Sequence, residues 1–145
     1  MTSHTIHYGD DQDQLIIASD FDNLPVVETF IQHLCKRATL DDDQSDNMAI
    51  AITELVNNAI IHGNQQDATK TVTIVAHYHD DRVEIAISDQ GGGFDPTQIA
   101  NPTDPQNLWK QSGRGVFLVK NLIDQVEIQS DNGGTTVTLT EFRAE

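Results

Sequence analysis

The stretch from Ser45 to Asn64 constrains the fold more than any other. Met48, Ile52, Leu55, Val56, Ala59 and Ile60 recur at helical spacing and gather on one stripe, which has to face a core. At about 100° per residue, Glu54 and Asn58 fall together on the flank of that stripe, one turn apart. Both carry oxygen atoms, so the pair can orient a hydroxyl and hold a hard cation. On an amphipathic helix it can equally be a solvated Glu and Asn. Gly63 ends the stretch as a residue suited to a left-handed cap.

The chain has 145 residues, enough for one domain with a real core and no need of disulfides or structural metal. The single cysteine, Cys35, lies at an apolar helical phase in FIQHLCKR and reads as a small buried hydrophobe. A formal charge of −15, from 23 acidic against 8 basic residues, argues against nucleic acid, which is held by clustered Lys and Arg. A phosphate-bearing ligand would then be held by backbone amides and a divalent cation. The segment MTSHTIHYGDDQDQ has no basic region followed by an apolar run, and no stretch reaches the roughly 18 consecutive apolar residues of a membrane span. The reading is a cytoplasmic protein without membrane contact.

In chain order, residues 1–12 read as a flexible polar N-terminus and residues 13–145 as a single domain. Gln14 to Ser19 patterns as a strand. Asp22 or Asn23 can cap a helix with Pro25 in its first turn, running through Val27, Phe30, Ile31 and Leu34 to about Ala38. Leu40 to Gln44 reads as an acidic connector, and Gln65 to Ala68 as a polar loop. Thr71–His79 and Arg82–Asp89, separated only by Asp80-Asp81, have hairpin spacing. Val72, Ile74, Ala76 and Tyr78 share a face, as do Val83, Ile85 and Ile87. His77 and His79 lie together on a strand face, but without a third ligand at a fitting spacing they read as solvated. Gln125–Ser130 and Thr135–Thr140, around Asp131-Asn132-Gly133-Gly134, form a second hairpin.

Strict alternation carries Asp89 onto the buried face, and a buried carboxylate needs a donor. Beyond it, Gln90-Gly91-Gly92-Gly93-Phe94 lets the backbone turn sharply or approach something flat. A planar ligand with an exocyclic amine, adenine being the commonest, satisfies both observations. So does a tight glycine turn in which Asp89 caps a nearby helix. Phe94 to Ser112 carries three prolines and no periodicity, which describes a long loop of the kind that closes over a site. Gly113-Arg114-Gly115 opens a helix with Val116, Leu118, Val119, Leu122 and Ile123. Glycines at a helix N-terminus let a phosphate reach free amides, and Arg114 would add a guanidinium.

ELVNNAIIHGN at 54–64, DQGGGFDP at 89–96, SGRGVFLVKNLIDQVEI at 112–128 and GGTTVTL at 133–139 resemble the N, G1 and G2 boxes and terminal hairpin of the GHKL ATPase superfamily. The closest likeness is to its anti-sigma-factor serine kinase branch. It covers nearly the whole chain from the first strand onward, with the motifs in the family's order and spacing. A Walker A lysine motif and the HRD and DFG set are absent. The resemblance implies a two-layer α/β (α+β) sandwich, the Bergerat fold, with helices on one face of a mostly antiparallel mixed sheet and ATP between helices and loop.

The same resemblance implies Asn58 as the Mg²⁺ ligand, Glu54 as general base and Asp89 as the reader of adenine. It places Gly91 and Gly93 beside the nucleotide, Gly113, Arg114 and Gly115 at the triphosphate, and His62 and Asn64 at the helix end near the phosphates. The implied reaction moves the γ-phosphoryl group of Mg·ATP to a serine or threonine of an anti-anti-sigma (STAS-type) protein. A sigma factor is the implied competing partner, and a homodimer the implied assembly. A nucleotide-gated binding module without phosphotransfer would use the same boxes; retention of Glu54 favours an enzyme. A histidine-kinase catalytic domain shares them too, but residues 1–44 are too few for a dimerising helical hairpin and contain no His-Glu phospho-acceptor pair.

Overall fold

A computed structural model describes residues 2–91, 113–131 and 133–144. In chain order these form β1 (His4–Tyr8), β2 (Gln12–Ala18), a 3-10 turn (Phe21–Asn23), α1 (Leu24–Arg37), and α2 (Asp42–Asn58), which continues into a π turn (Ala59–Gly63). They continue as β3 (Thr71–Tyr78), β4 (Arg82–Ser88), α3 (Gly113–Leu122), β5 (Gln125–Asp131) and β6 (Gly134–Phe142). The strands make one sheet in the order β1-β2-β3-β4-β6-β5, and every pairing in it is antiparallel.

The helices cover one face of this sheet, giving the two-layer α+β sandwich that the resemblance implies, with the described strands wholly antiparallel rather than mixed. Leu15, Ile17, Ile74, Ile85 and Leu139 of the sheet meet Phe30, Leu34, Met48, Ile52 and Val56 of the helices in one buried core. All six positions of the α2 stripe are buried. Each large aliphatic side chain so buried contributes about 1.5–3 kcal/mol, which makes α2 the element the core forms around. Cys35 lies in that core, and burial pushes its thiol up to about 11, as suits a small hydrophobe rather than a nucleophile.

Three local readings are corrected. His4–Tyr8, read as a flexible polar end, is an edge strand, held by main-chain pairing to β2 from His4↔Ile17 to Tyr8↔Asp13. Only its Ile6 packs against the core, so polarity hid it. Asp13 behind that edge is fully buried and accepts from Arg37 Nη1 at 2.6 Å and Tyr78 Oη at 2.7 Å, tying α1 to β2 and β3. Leu40–Gln44 is not a connector, because Asp41 starts α2. Its Oδ1 accepts from the Gln44 amide at 2.8 Å while Gln44 Oε1 accepts from the Asp41 amide at 3.2 Å, a reciprocal capping box. Asp42 and Asp43 then fall in the first turn, where the helix dipole favours them. Third, Asn23 does not cap α1 with its side chain. Asn23 stands at the cap position, but its amide donates to the Ala18 carbonyl at 2.9 Å and its oxygen accepts from the Ser3 amide at 3.0 Å.

Removing the capping box should weaken the whole fold, since α2 carries the core. Asp41→Ala is expected to cost about 1 kcal/mol. In urea titration that lowers the unfolding midpoint by roughly 0.3–1 M at unchanged slope; an unmoved midpoint would show that the box contributes nothing.

Candidate functional site

The site grows from the way α2 ends. After Asn58 the helix widens, and the Asn64 amide reaches back to the Ala59 carbonyl at 2.8 Å, the i→i−5 bond of a π turn. The extra residue brings Gly63 against the exit of β4. Gly63 is not the left-handed cap expected of it; the left-handed residues are Gln65 (φ 53°) and Gln66 (φ 58°), which follow. What Gly63 supplies is space. A Cβ on it would overlap the Asp89 carboxylate, and a Cβ on Gly91 would overlap the Gly63 carbonyl, so two backbones meet where only glycines allow it.

Alternation carries Asp89 to the end of the inner sheet face, where it is half-buried rather than enclosed. It is held from the β6 side. The Asp89 amide donates to the Thr135 carbonyl at 2.9 Å, while the Thr135 amide at 3.1 Å and the Gly91 amide at 3.0 Å both donate to Asp89 Oδ1. Gly134 (φ 139°) comes so close that a Cβ would overlap the Asp89 carbonyl. With Oδ1 occupied, Oδ2 lies against Gly63 without a hydrogen-bond donor among the described residues. The site therefore offers one carboxylate oxygen to a ligand. Burial raises the Asp89 carboxyl above its ordinary value, against the opposing pull of the Gly91 and Thr135 amides.

Glu54 and Asn58 lie one turn apart on α2, both half-buried. The first turn of α3 crosses Glu54: Gly115 is buried, and a Cβ on it would overlap the Glu54 carboxylate. The free amides of a helix N-terminus thus approach the same region as Glu54. Asn58 Nδ2 is buried with no hydrogen-bond partner among the described residues. Oxygen and nitrogen of a carboxamide are assigned from their surroundings, so in either orientation one enclosed amide atom is left without a partner among the described residues. As oxygen it suits a cation, and with the carboxylate one turn away it fits the hard-donor preference of Mg²⁺.

The remaining expected residues divide. His62 is exposed at the helix end. Asn64, read as lying toward phosphates, is instead fully buried and bonded within the fold. Gly113 and Arg114 form the start of α3. Gly93 and the loop 94–112 lie outside the described residues, as does the Arg114 side chain. Sequence reasoning missed the cradle made by Gly63, Gly134 and Thr135 around Asp89. The signal was the second glycine of the Asp131–Gly134 turn, which a hairpin alone does not need.

A family model described as Histidine kinase-like ATPase domain matches residues 17–141. The chain is 33% identical over 106 residues to a protein of Bacillus licheniformis named Serine-protein kinase RsbW, spanning 69% of this chain and 66% of that one. It is 27% identical over 135 residues to the protein of the same name from Bacillus velezensis, spanning 89% and 84%. Among solved structures, the RsbU and RsbW domains of Rv1364c from Mycobacterium tuberculosis superpose with a TM-score of 0.67 at 19% identity, over 91% of this chain and 32% of that one. That likeness concerns the fold alone.

The raised carboxyl of Asp89 has a signed consequence. An acid that holds its proton more tightly in the folded chain contributes stability present below its unfolded pKa and lost as pH rises through the folded one. Asp89→Asn keeps an oxygen for the Gly91 and Thr135 amides and removes that dependence. The stability of wild type minus Asp89→Asn, from urea unfolding, should fall as pH is raised from about 4 to 7. A difference that stays flat would mean that burial does not act on this carboxylate.

Proposed function

The chain belongs to the histidine kinase-like ATPase domain family, and on that premise we propose that it is an ATP-dependent serine/threonine-protein kinase of a partner switch. The observation that carries the reading is the alignment of groups along α2. Glu54 lies under Gly115, Asn58 with its unpartnered amide stands one turn on, and Asp89 meets the helix end at Gly63. In this reading Asp89 Oδ2 accepts from the exocyclic amine of adenine and Asn58 is the Mg²⁺ ligand. Gly91 and Gly93 line the nucleotide, while Gly113, Gly115 and Arg114 take phosphate oxygens, with His62 at the same end of the helix.

Mg²⁺ when bound neutralises charge on the phosphate oxygens. Glu54 orients the acceptor hydroxyl and takes its proton as the serine Oγ attacks the γ-phosphorus. The Oγ–P bond forms, the bond to the β–γ bridging oxygen breaks, ADP leaves with that electron pair, and Glu54 returns its proton to solvent. A carboxylate placed beside a helix N-terminus and one turn from a cation ligand favours phosphotransfer over nucleotide-gated binding alone. The acceptor of this reading is a STAS-type anti-anti-sigma protein and the competing partner a sigma factor; switching follows if nucleotide state and phosphorylation change which is bound better. With β1 part of the same sheet, the chain from His4 onward acts as one ATPase domain, working as a cytoplasmic homodimer. Among the described residues no helix is long and apolar enough to cross a membrane.

Two experiments test this function. In transfer of labelled γ-phosphate to a STAS-domain protein from the same source, Glu54→Gln should lower the rate by about 10² to 10⁴ while leaving ATP affinity nearly unchanged. Wild type that binds Mg·ATP but phosphorylates no such partner would leave the binding module as the function. In calorimetric titration with and without chelator, Asn58→Ala should lose most of the Mg²⁺-dependent part of ATP affinity and keep the metal-free part. Full metal dependence in the variant would remove Asn58 as the ligand.

A further inference from the structure

Asn64 is fully buried, and its carboxamide is bonded on both sides. Nδ2 donates to Ser19 Oγ at 2.6 Å and to the Thr71 carbonyl at 2.9 Å, while Oδ1 accepts from the Gln90 amide at 2.8 Å. The orientation of this carboxamide follows from its partners. Ser19 Oγ donates its own hydrogen to the Lys70 carbonyl at 2.8 Å, so it can only accept from Asn64, and a carbonyl at Thr71 likewise only accepts. That leaves the Asn64 oxygen for the Gln90 amide.

Gln90 stands between Asp89 and Gly91, and the three successive amides there have separate tasks. The Asp89 amide joins β6, the Gly91 amide closes onto Asp89 Oδ1, and the Gln90 amide alone turns toward the end of α2. Among the described residues, the Asn64–Gln90 bond is the only hydrogen bond between the end of α2 and residues 89–91. It sits where Gly63 touches the Asp89 carboxylate and Gly91 touches the Gly63 carbonyl. Those glycine contacts permit close approach but do not specify it, because a missing Cβ attracts nothing. The directional bond comes from Asn64.

We propose that Asn64 is a positioning residue for the nucleotide: it locks the exit of β4 onto the end of α2, so that Asp89 Oδ2 stays at a fixed offset from Asn58 and Glu54. The proposal rests on the nucleotide reading above and deepens it. It assigns base selectivity to a side chain that does not touch the base. It also accounts for the π turn, since the extra residue is what carries position 64 beneath Gln90. Ser19 and Thr71 hold the carboxamide from the sheet side, so the ends of β2 and β3 also contribute to the lock.

The readout is discrimination between Mg·ATP and Mg·ITP, which differ at the exocyclic amine that Asp89 would read. Asn64→Ala should weaken Mg·ATP binding by roughly tenfold and bring the ATP:ITP affinity ratio toward one. Ser19→Ala, which removes one support of the carboxamide but keeps its oxygen on Gln90, should move the ratio the same way by a smaller factor. Ile60→Val, a core change on the same helix, lowers stability without moving the ratio. Hydrogen exchange of the Gln90 amide, followed without nucleotide, should be faster in Asn64→Ala than in Ile60→Val. If Asn64→Ala does not fold, Ser19→Ala carries both measurements. A folded variant with the wild-type ratio, or with wild-type protection at Gln90, overturns the proposal. Wild type that binds ATP and ITP alike overturns the adenine reading of Asp89, and the proposal with it; a wild-type preference for ATP that Asp89→Asn abolishes and Asn64→Ala does not overturns the proposal alone.

Discussion

Everything in the site depends on one close approach, between the end of α2 at Gly63 and the exit of β4 at Asp89 to Gly91. The Gly63 carbonyl meets Gly91 there backbone to backbone, and the Asp89 carboxylate lies against Gly63. A residue with a Cβ at either glycine would force the elements apart, and a core packed to crystal-like density has no slack to absorb the shift. The separation of the Asp89 carboxylate from the helix is therefore a backbone quantity. It is anchored below by the buried stripe of α2 and laterally by β6, whose Thr135 amide and carbonyl both engage Asp89.

This placement has an energetic cost at Asp89. A carboxylate half-removed from water with a single oxygen satisfied is less stable than one in solvent, which is why its proton is held more tightly than usual. Asn58 shows a similar local deficit, an enclosed amide atom lacking a partner. Well-folded chains tolerate few such groups; Asn57 Oδ1 is another beside Asn58, and Asp89 lies against Gly63 in the turn that follows α2. By contrast the buried Asp13, at the opposite end of the sheet, is met by Arg37, Tyr78 and His33 and needs nothing further. The contrast separates a carboxylate that holds the fold together from one left open to a ligand.

Much of this was legible from residue order alone. The α2 stripe was readable because helical period and burial coincide over six positions, and the two hairpins because their turns are too short for another connection. Asp89 was readable because strand alternation is strict. β1 was not, since an edge strand held by main-chain bonds leaves little hydrophobic signal. Asn64 was misplaced for a different reason: its partners lie at positions 19, 71 and 90, and nothing local in HGN says that the amide faces inward. Gly63 was assigned the commoner role of glycine after a helix, when close approach was the operative one.

The charge of the chain bears on how such a site can bind an anion at all. A protein at −15 repels a triphosphate in bulk, but at physiological salt that repulsion fades beyond about 8 Å, so only nearby groups decide. Two of the nearest on this reading, Glu54 and Asp89, are themselves carboxylates. Neither can be neutralised without losing its role, since one must accept a proton and the other an amine hydrogen bond. On the same reading Arg114 offsets part of this charge, and a divalent cation brought in with the ligand would offset more. Asn58 is the residue that would hold such a cation. On the proposed reading, nucleotide binding would accordingly be coupled to metal binding by electrostatics.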